Sequence, residues 1–447
     1  MALDRSTALD RFRRARARTR ALFDVLDPAA YYEKPIALRN PVVFYEGHLP
    51  AFAVNALVKK GLGRRGIDEQ LETIFARGID PDVEAAAVAR GNPAWPSRDV
   101  VRAYADAADA AIADAIAHGD VARDDHPLLR GAQVVWAILE HEEMHQETLA
   151  YMWHRVPYRW KVKPPHYVTV PPRLLTGSPR AARARMRTRI PGGTATIGTR
   201  LDREPFAWDN ELPAHTVLVR AFDVDVLNVT NADFMAFVES GGYREPRWWR
   251  TEDWDWVQHE QVTHPSFWAR ADDTWYWLAM FERVPLPPDW PVYVTWAEAN
   301  AYARWHGGRL MTEAEFHRAA FGTPDGRERR FPWGDGLDRS AVPGNFDFKR
   351  FDPVPSGASP AGASAFGVHD LVGNGWEWTA DVFAPFDGFT PLPSYPEYSA
   401  DFFDGRHFVM KGASPMTARG LVRSGFRNWF RPRYPYVYAT FRCVEDA

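Results

Sequence analysis

Apolar positions in the first 155 residues recur at helical spacing. Leu9, Phe12, Leu22, Phe23 and Leu26 share one face of a 3.6-residue period, and similar patterns predict helices over roughly 6–26, 46–61, 98–118 and 128–154. Ser97 is placed to cap the third, which runs on through an Ala-rich stretch of strong helix formers. Four such helices predict a bundle, whose inward-facing side chains can build a metal site. Between 157 and 187 the period is lost to Pro164-Pro165, Pro171-Pro172 and scattered basic residues, the texture of a linker wrapped on the surface. Beyond about 188 the chain turns to short β-like runs broken by Gly, Pro and Trp, with two clear helices at 231–240 and 296–306 and no internal repeat. The expected fold class is therefore α+β: a four-helix bundle over 1–155, a linker over 156–187, and an irregular, loop-rich domain over 188–447.

Composition narrows the function classes. The 447 residues are 46% hydrophobic and 25% charged, ordinary for a soluble globular protein and enough for two or three domains. With 54 Lys+Arg against 58 Asp+Glu the net charge is -4, which disfavours a nucleic-acid partner. One cysteine, Cys443, forms no internal disulfide and supplies no Cys-rich metal site. No run of about 18 apolar residues and no secretory signal is present, so a cytoplasmic protein without a membrane partner is expected. The oligomeric state is left open. The unusual quantity is aromatic content: 19 Trp, 16 Tyr and 27 Phe, concentrated in the second half.

The sharpest local feature is His141-Glu142-Glu143-Met144-His145-Gln146-Glu147 in the fourth helical segment. At i and i+4 two imidazoles lie one turn apart on the same face, near enough to share an ion; two solvated histidines on a polar helix is the plain alternative. The string also satisfies H-E-x-x-H, in which Glu142 would be the general base of a zinc hydrolase. That pattern wants a further ligand, yet Thr148 and Tyr151 stand in the Gly and His places of the extended form, and no Glu occurs between Glu147 and Glu204. His48, in Tyr45-Glu46-Gly47-His48-Leu49-Pro50, is a better third ligand, since in an antiparallel bundle its helix can face the fourth; a helix-start or core histidine is its other reading. Three neutral imidazoles suit Fe, Zn, Co or Cu. Glu142, Glu143 and Glu147 either orient the ligand imidazoles or are solvated helix charges.

The second half carries, in order, Ile190-Pro191-Gly192-Gly193, Trp208-Asp209-Asn210-Glu211-Leu212-Pro213-Ala214-His215, Val229-Thr230-Asn231, Arg309-Leu310-Met311-Thr312-Glu313-Ala314-Glu315-Phe316, Phe331-Pro332-Trp333-Gly334-Asp335 and Gly373-Asn374-Gly375-Trp376-Glu377-Trp378-Thr379. This series resembles the formylglycine-generating-enzyme/sulfatase-modifying-factor fold, which is C-type-lectin-like; most of its Trp and Gly residues are expected to pack loops. Members that oxidise protein cysteine use paired cysteines, and Cys443 stands alone. A DinB-like bundle with a three-histidine site ahead of this fold resembles instead the ergothioneine-type and ovothiol-type sulfoxide synthases. The resemblance implies that His48, His141 and His145 bind Fe(II), and that O2 drives bond formation between the imidazole of hercynine, the trimethylated histidine betaine, and a chalcogen donor.

Departures from the family pattern concern the donor. The branch using gamma-glutamylcysteine reads R-N-W-D-x-P-x-R where this chain has Arg427-Asn428-Trp429-Phe430-Arg431-Pro432-Arg433-Tyr434, so Phe430 and Tyr434 replace a charged pair. A zwitterionic donor would lose two charge-assisted contacts, each about 1.5–3 kcal/mol. Met144 stands where that branch has a Gln that contacts the histidine substrate. Residues 145–152 and 439–443 look more like the subgroup that includes selenoneine synthase, which implies a selenosugar donor; cysteine or another thiol is the alternative. By the same resemblance Asn428 and Trp429 lie near hercynine, whose trimethylammonium favours aromatic faces, with Trp376 and Trp378 as further candidates. Tyr395 or Tyr398 would deliver a proton or hydrogen atom. A binding module with a decayed site is the reading from a different class.

Overall fold

The computed structural model describes residues 3–76, 95–165, 167, 186–336 and 343–447. They form two units: residues 1–167 with 392–396, and residues 168–391 with 397–447. The expected linker contains residues 166 and 168–185, which lie outside the described residues, but its first part is tied to the helical unit. Asp27 N–H donates to the Trp160 carbonyl and Val162 N–H to that of Val25, both at 2.8 Å.

In the first unit, helix α1 (Arg5–Asp24) buries Ala8, Phe12, Ala15, Leu22 and Phe23, the stripe its periodicity requires. Helix α2 (Val42–Ala53) contains Pro50, which has no N–H to give, and the chain continues as a wider π-helical stretch, Val54–Gly61, in which Leu62 N–H reaches back five residues to Leu57. Helix α3 (Glu69–Ile74) is a short element that the apolar pattern did not announce, although Asp68 is a regular N-cap. Helix α4 (Arg98–His118) starts on the Ser97 cap, and α5 (Gln133–Arg155) is the long central helix. Helix α1 packs on α4 and α5, and α2 packs on α4 and α5. Trp153 of α5 fixes one end, donating its indole N–H to the Leu22 carbonyl at 2.8 Å.

The second unit is built on two four-stranded sheets. One has the order β1–β4–β13–β8 (Arg187–Ile190, Phe222–Asp225, Cys443–Asp446, Arg309–Leu310), and the other β11–β10–β9–β12 (Asn428–Phe430, Phe408–Ala413, Gly375–Val382, Ala439–Thr440). A hairpin of β2 and β3 (Gly193–Ile197, His215–Val219) and a three-stranded meander, β5–β6–β7 (Trp268–Ala271, Thr274–Leu278, Arg283–Pro285), complete the strands. The expected helices appear as α6 (Asn231–Glu239) and α8 (Trp296–Trp305), joined by α7 (Thr251–His259) and α9 (Glu313–Phe321), which the pattern left unassigned. Helix α9 did carry a signal: Thr312 and Glu315 form a capping box. Glu377 of β9 and Arg442, both fully buried, pair at the centre of the unit, and Arg442 also donates to the carbonyls of Asp225, Val226 and His369. Much of the aromatic content is core, as in the Phe267, Trp277, Trp290, Tyr293 and Tyr438 cluster. No described helix is long and apolar enough to cross a membrane.

Candidate metal centre

Helix α5 is buried on nearly every face, including Glu140, His141, Glu142, Glu143, Gln146 and Glu147. Polar groups so placed need partners, since burying an unsatisfied one is costly. Glu142 finds Arg16 at 2.8 Å and the Thr19 hydroxyl; Glu143 is held by two Arg11 nitrogens at 2.5 and 3.0 Å. Gln146 donates to the Ala15 carbonyl at 2.8 Å. The expectation that these carboxylates are solvated or orient imidazoles is therefore corrected for Glu142 and Glu143: the unwritten variable was Arg-rich α1, which covers that face of α5. Glu147 is also buried rather than solvated. Bound in this way, Glu142 is not a free general base, which removes the carboxylate a zinc hydrolase needs.

With that face turned to α1, His141 and His145 turn toward α2 and meet His48. Ring centroids are 4.5 Å apart for His141 and His145, 5.2 Å for His48 and His141, and 5.1 Å for His48 and His145. One ligand nitrogen from each lies within 4.8 Å of the other two. His48 Nε2, His141 Nε2 and His145 Nδ1 are buried and make no hydrogen bond among the described residues. Burial lowers the pKa of His48 to about 4, against a smaller raising effect from the Phe75 carbonyl. Burial and then the neighbouring imidazoles hold His141 well below its ordinary value; burial, His48 and Arg39 do the same for His145. Three neutral imidazoles whose buried nitrogens accept no hydrogen bond among the described residues, and whose ligand atoms lie so close together, fit a borderline divalent cation. Phe52 stacks on His141 with centroids 3.6 Å apart and planes 11° apart, and Phe44 stacks on His48 at 5.0 Å. Sequence reasoning passed over Phe52, although it stands one helical turn after His48.

The two candidate tyrosines part company. Residues 392–396 cluster with the helical unit, and Tyr395 lies with its ring 5.4 Å from Phe52 and 6.2 Å from His141. Tyr398 belongs to the other unit, 4.0 Å from the Trp208 ring and 5.3 Å from Trp429. Met144 is half-buried on α5, between the two ligand candidates.

Within the second unit, alternation along β11 sends Trp429 to the face opposite Asn428 and Phe430. Trp429 stacks on Phe383 at 4.2 Å, while Phe430 stacks on Tyr434 at 5.0 Å. Asn428 is half-buried, its Oδ1 accepting from the Trp429 N–H at 2.9 Å. Trp376 and Trp378, the further substrate candidates, are buried. Each is 1% exposed, Trp376 packing on Phe426 and Trp378 donating its indole N–H to the Val294 carbonyl. Cys443 is buried and forms no disulfide.

Comparison with known proteins agrees with this architecture. Residues 11–149 match the DinB superfamily and residues 173–447 the Sulfatase-modifying factor enzyme 1-like domain. Over 452 residues the chain is 33% identical to the hercynine oxygenase of Mycolicibacterium smegmatis, covering 99% of both proteins. It is 42% identical over 257 residues to that of Mycolicibacterium thermoresistibile, a stretch spanning 56% of each chain. Ergothioneine biosynthesis protein 1 of Neurospora crassa is 28% identical over 93% of this chain and 55% of its own length. A DinB bundle that gathers three histidines, followed by a sulfatase-modifying-factor-like domain, with full-length similarity to a hercynine oxygenase, places this chain in the hercynine oxygenase family of ergothioneine-type sulfoxide synthases.

Proposed function

We propose that this protein is an O2-dependent non-haem iron enzyme that forms a carbon–chalcogen bond on the imidazole of hercynine. The observation that carries the reading is the convergence of His48, His141 and His145, each with a buried nitrogen that has no hydrogen-bond partner among the described residues. Those three residues would hold the ion, and ferrous iron there would supply the redox chemistry with O2 that such a bond requires. Tyr395 stands near enough to act as the proton or hydrogen-atom donor, and the Phe52 ring, parallel to His141, keeps that imidazole in one orientation. The packed rings around the trio limit water, which favours metal-directed over hydrolytic chemistry.

The finer assignment concerns the donor. We assign Asn428, Trp429 and Met144 to hercynine recognition and Phe430 and Tyr434 to donor selection. The stacked Phe430 and Tyr434 rings give a surface without the charged pair that a zwitterionic thiol peptide needs, which supports a neutral selenosugar over gamma-glutamylcysteine. Anaerobic reconstitution with Fe(II), followed by hercynine, O2 and either selenosugar, cysteine or gamma-glutamylcysteine, tests both levels by mass spectrometry. A His141→Ala variant that keeps full iron and full turnover removes the site. Exclusive coupling of a thiol removes the selenium assignment and leaves the enzyme class standing.

A further inference from the structure

Gly47 sits inside α2 beside His48, a position where glycine is a poor helix former. Its reason is steric: a Cβ there would lie 2.5 Å from Cδ2 and Cζ of Phe75, so the Phe75 ring fills the space of the missing side chain. Phe75 is fully buried and closes the C-terminal end of α3, where helix carbonyls lack intrahelical donors. One such carbonyl is used: His48 Nδ1 lies 2.7 Å from the Phe75 oxygen. A carbonyl only accepts, so the proton resides on Nδ1 and the lone pair on Nε2, the buried nitrogen with no hydrogen bond among the described residues and the one left to serve as a ligand.

Helix α3 has six residues and needs outside support. The buried Glu72 carboxylate provides it, accepting from the N–H groups of Ile67 at 2.6 Å and Asp68 at 3.1 Å and from Lys59 Nζ at 2.9 Å. Asn55 donates to the Glu72 carbonyl at 3.2 Å. Asn55 and Lys59 both stand on the π-helical continuation of α2, so the helix that carries His48 also anchors the helix that orients it. A side chain on Gly66 would overlap the Glu72 carboxylate, a second place where glycine makes room for the same support.

We propose that α3 is a positioning element for the metal centre: Gly47 and Glu72 set where the Phe75 carbonyl meets His48, and so govern metal affinity without touching the metal. The inference rests on the three imidazoles binding an ion. The test uses the full-length protein with Co(II) as probe, its affinity read by chelator competition and its ligand field by visible absorption, with far-UV circular dichroism to confirm folding. Gly47→Ala and Glu72→Gln are expected to weaken Co(II) binding 10–100-fold, as loss of a group orienting a ligand histidine typically does, and to change the visible bands. Phe75→Ala keeps the carbonyl and should stay within about threefold of wild type. The double variant Gly47→Ala/Phe75→Ala, in which no ring is left to displace, should recover most of the affinity lost by Gly47→Ala. Wild-type affinity in Gly47→Ala, or a double variant no tighter than Gly47→Ala, overturns the proposal. Should Gly47→Ala not fold, wild-type affinity in Glu72→Gln does the same. A wild-type protein that takes up no Co(II) overturns the metal reading itself, an outcome distinct from all of these.

Discussion

Glu142 separates two chemistries that share one motif. In the structure its carboxylate is 6% exposed, receives Arg16 at 2.8 Å and is hydrogen-bonded by Thr19, while Arg16 also reaches Asp109 at 2.7 Å. Burial by itself would lower the Arg16 pKa; Glu142 and then Asp109 more than reverse this and keep the guanidinium charged. Glu142→Ala removes one of two anions facing a buried cation. Breaking a buried pair costs about 3–5 kcal/mol, and the surviving Asp109 contact places this case near the lower end, about 3 kcal/mol. Glu142→Gln preserves shape and can still accept one hydrogen bond, so it should cost about 1–2 kcal/mol. Urea unfolding of the full-length protein, followed at the helical band of circular dichroism, measures both, and Co(II) competition measures the metal site in parallel. Co(II) affinity is expected to change less than threefold in Glu142→Gln, well short of the 10–100-fold loss typical of a group that orients a ligand. An unchanged urea midpoint in Glu142→Ala, together with a tenfold or greater loss of Co(II) affinity in Glu142→Gln, would refute the argument and return Glu142 to the metal side.

Three further outcomes follow from the geometry. Tyr395→Phe should lower product formation at least tenfold with Co(II) affinity retained, whereas Tyr398→Phe should act mainly on KM; the reverse ranking, read by steady-state kinetics, removes the Tyr395 assignment. Arg442→Met leaves the fully buried Glu377 carboxylate with the Asn228 amide but without its cation, and takes one donor from each of the Asp225, Val226 and His369 carbonyls, so the second unit should lose about 3–5 kcal/mol, seen as an earlier thermal transition in tryptophan fluorescence. Burial lowers His48 to about 4 and His317 to about 3, so from about pH 6.5 downward the unfolded chain binds protons that the folded chain refuses. Each of these histidines should then remove about 1.4 kcal/mol of metal-free stability per pH unit until its folded value is reached, with no contribution above pH 7. Urea midpoints at pH 7, 6 and 5 check this, and His317→Gln should flatten the slope.

Local order was written plainly in the sequence. The period of α1 and α4, the Ser97 cap, the change of texture near residue 188 and the i, i+4 spacing of His141 and His145 all depend on neighbours along the chain, whose geometry repeats whatever the rest does. What depends on distant segments was not legible. Nothing near Glu142 announces Arg16, 126 residues away, so a buried ion pair reads as a solvated charge or a catalytic base. Two tyrosines three residues apart look equivalent until the fold gives Tyr395 to the helical unit and Tyr398 to a tryptophan cluster. The role of Gly47 is visible only once the Phe75 ring is seen in the space beside it. The chain by itself marked His141 and His145 as a candidate ligand pair, because imidazole chemistry and helical repeat are local, and left His48 open. Tertiary packing decided which nitrogens are left unpaired and which carboxylates are already taken, because hydrogen-bond partners are shared out in three dimensions.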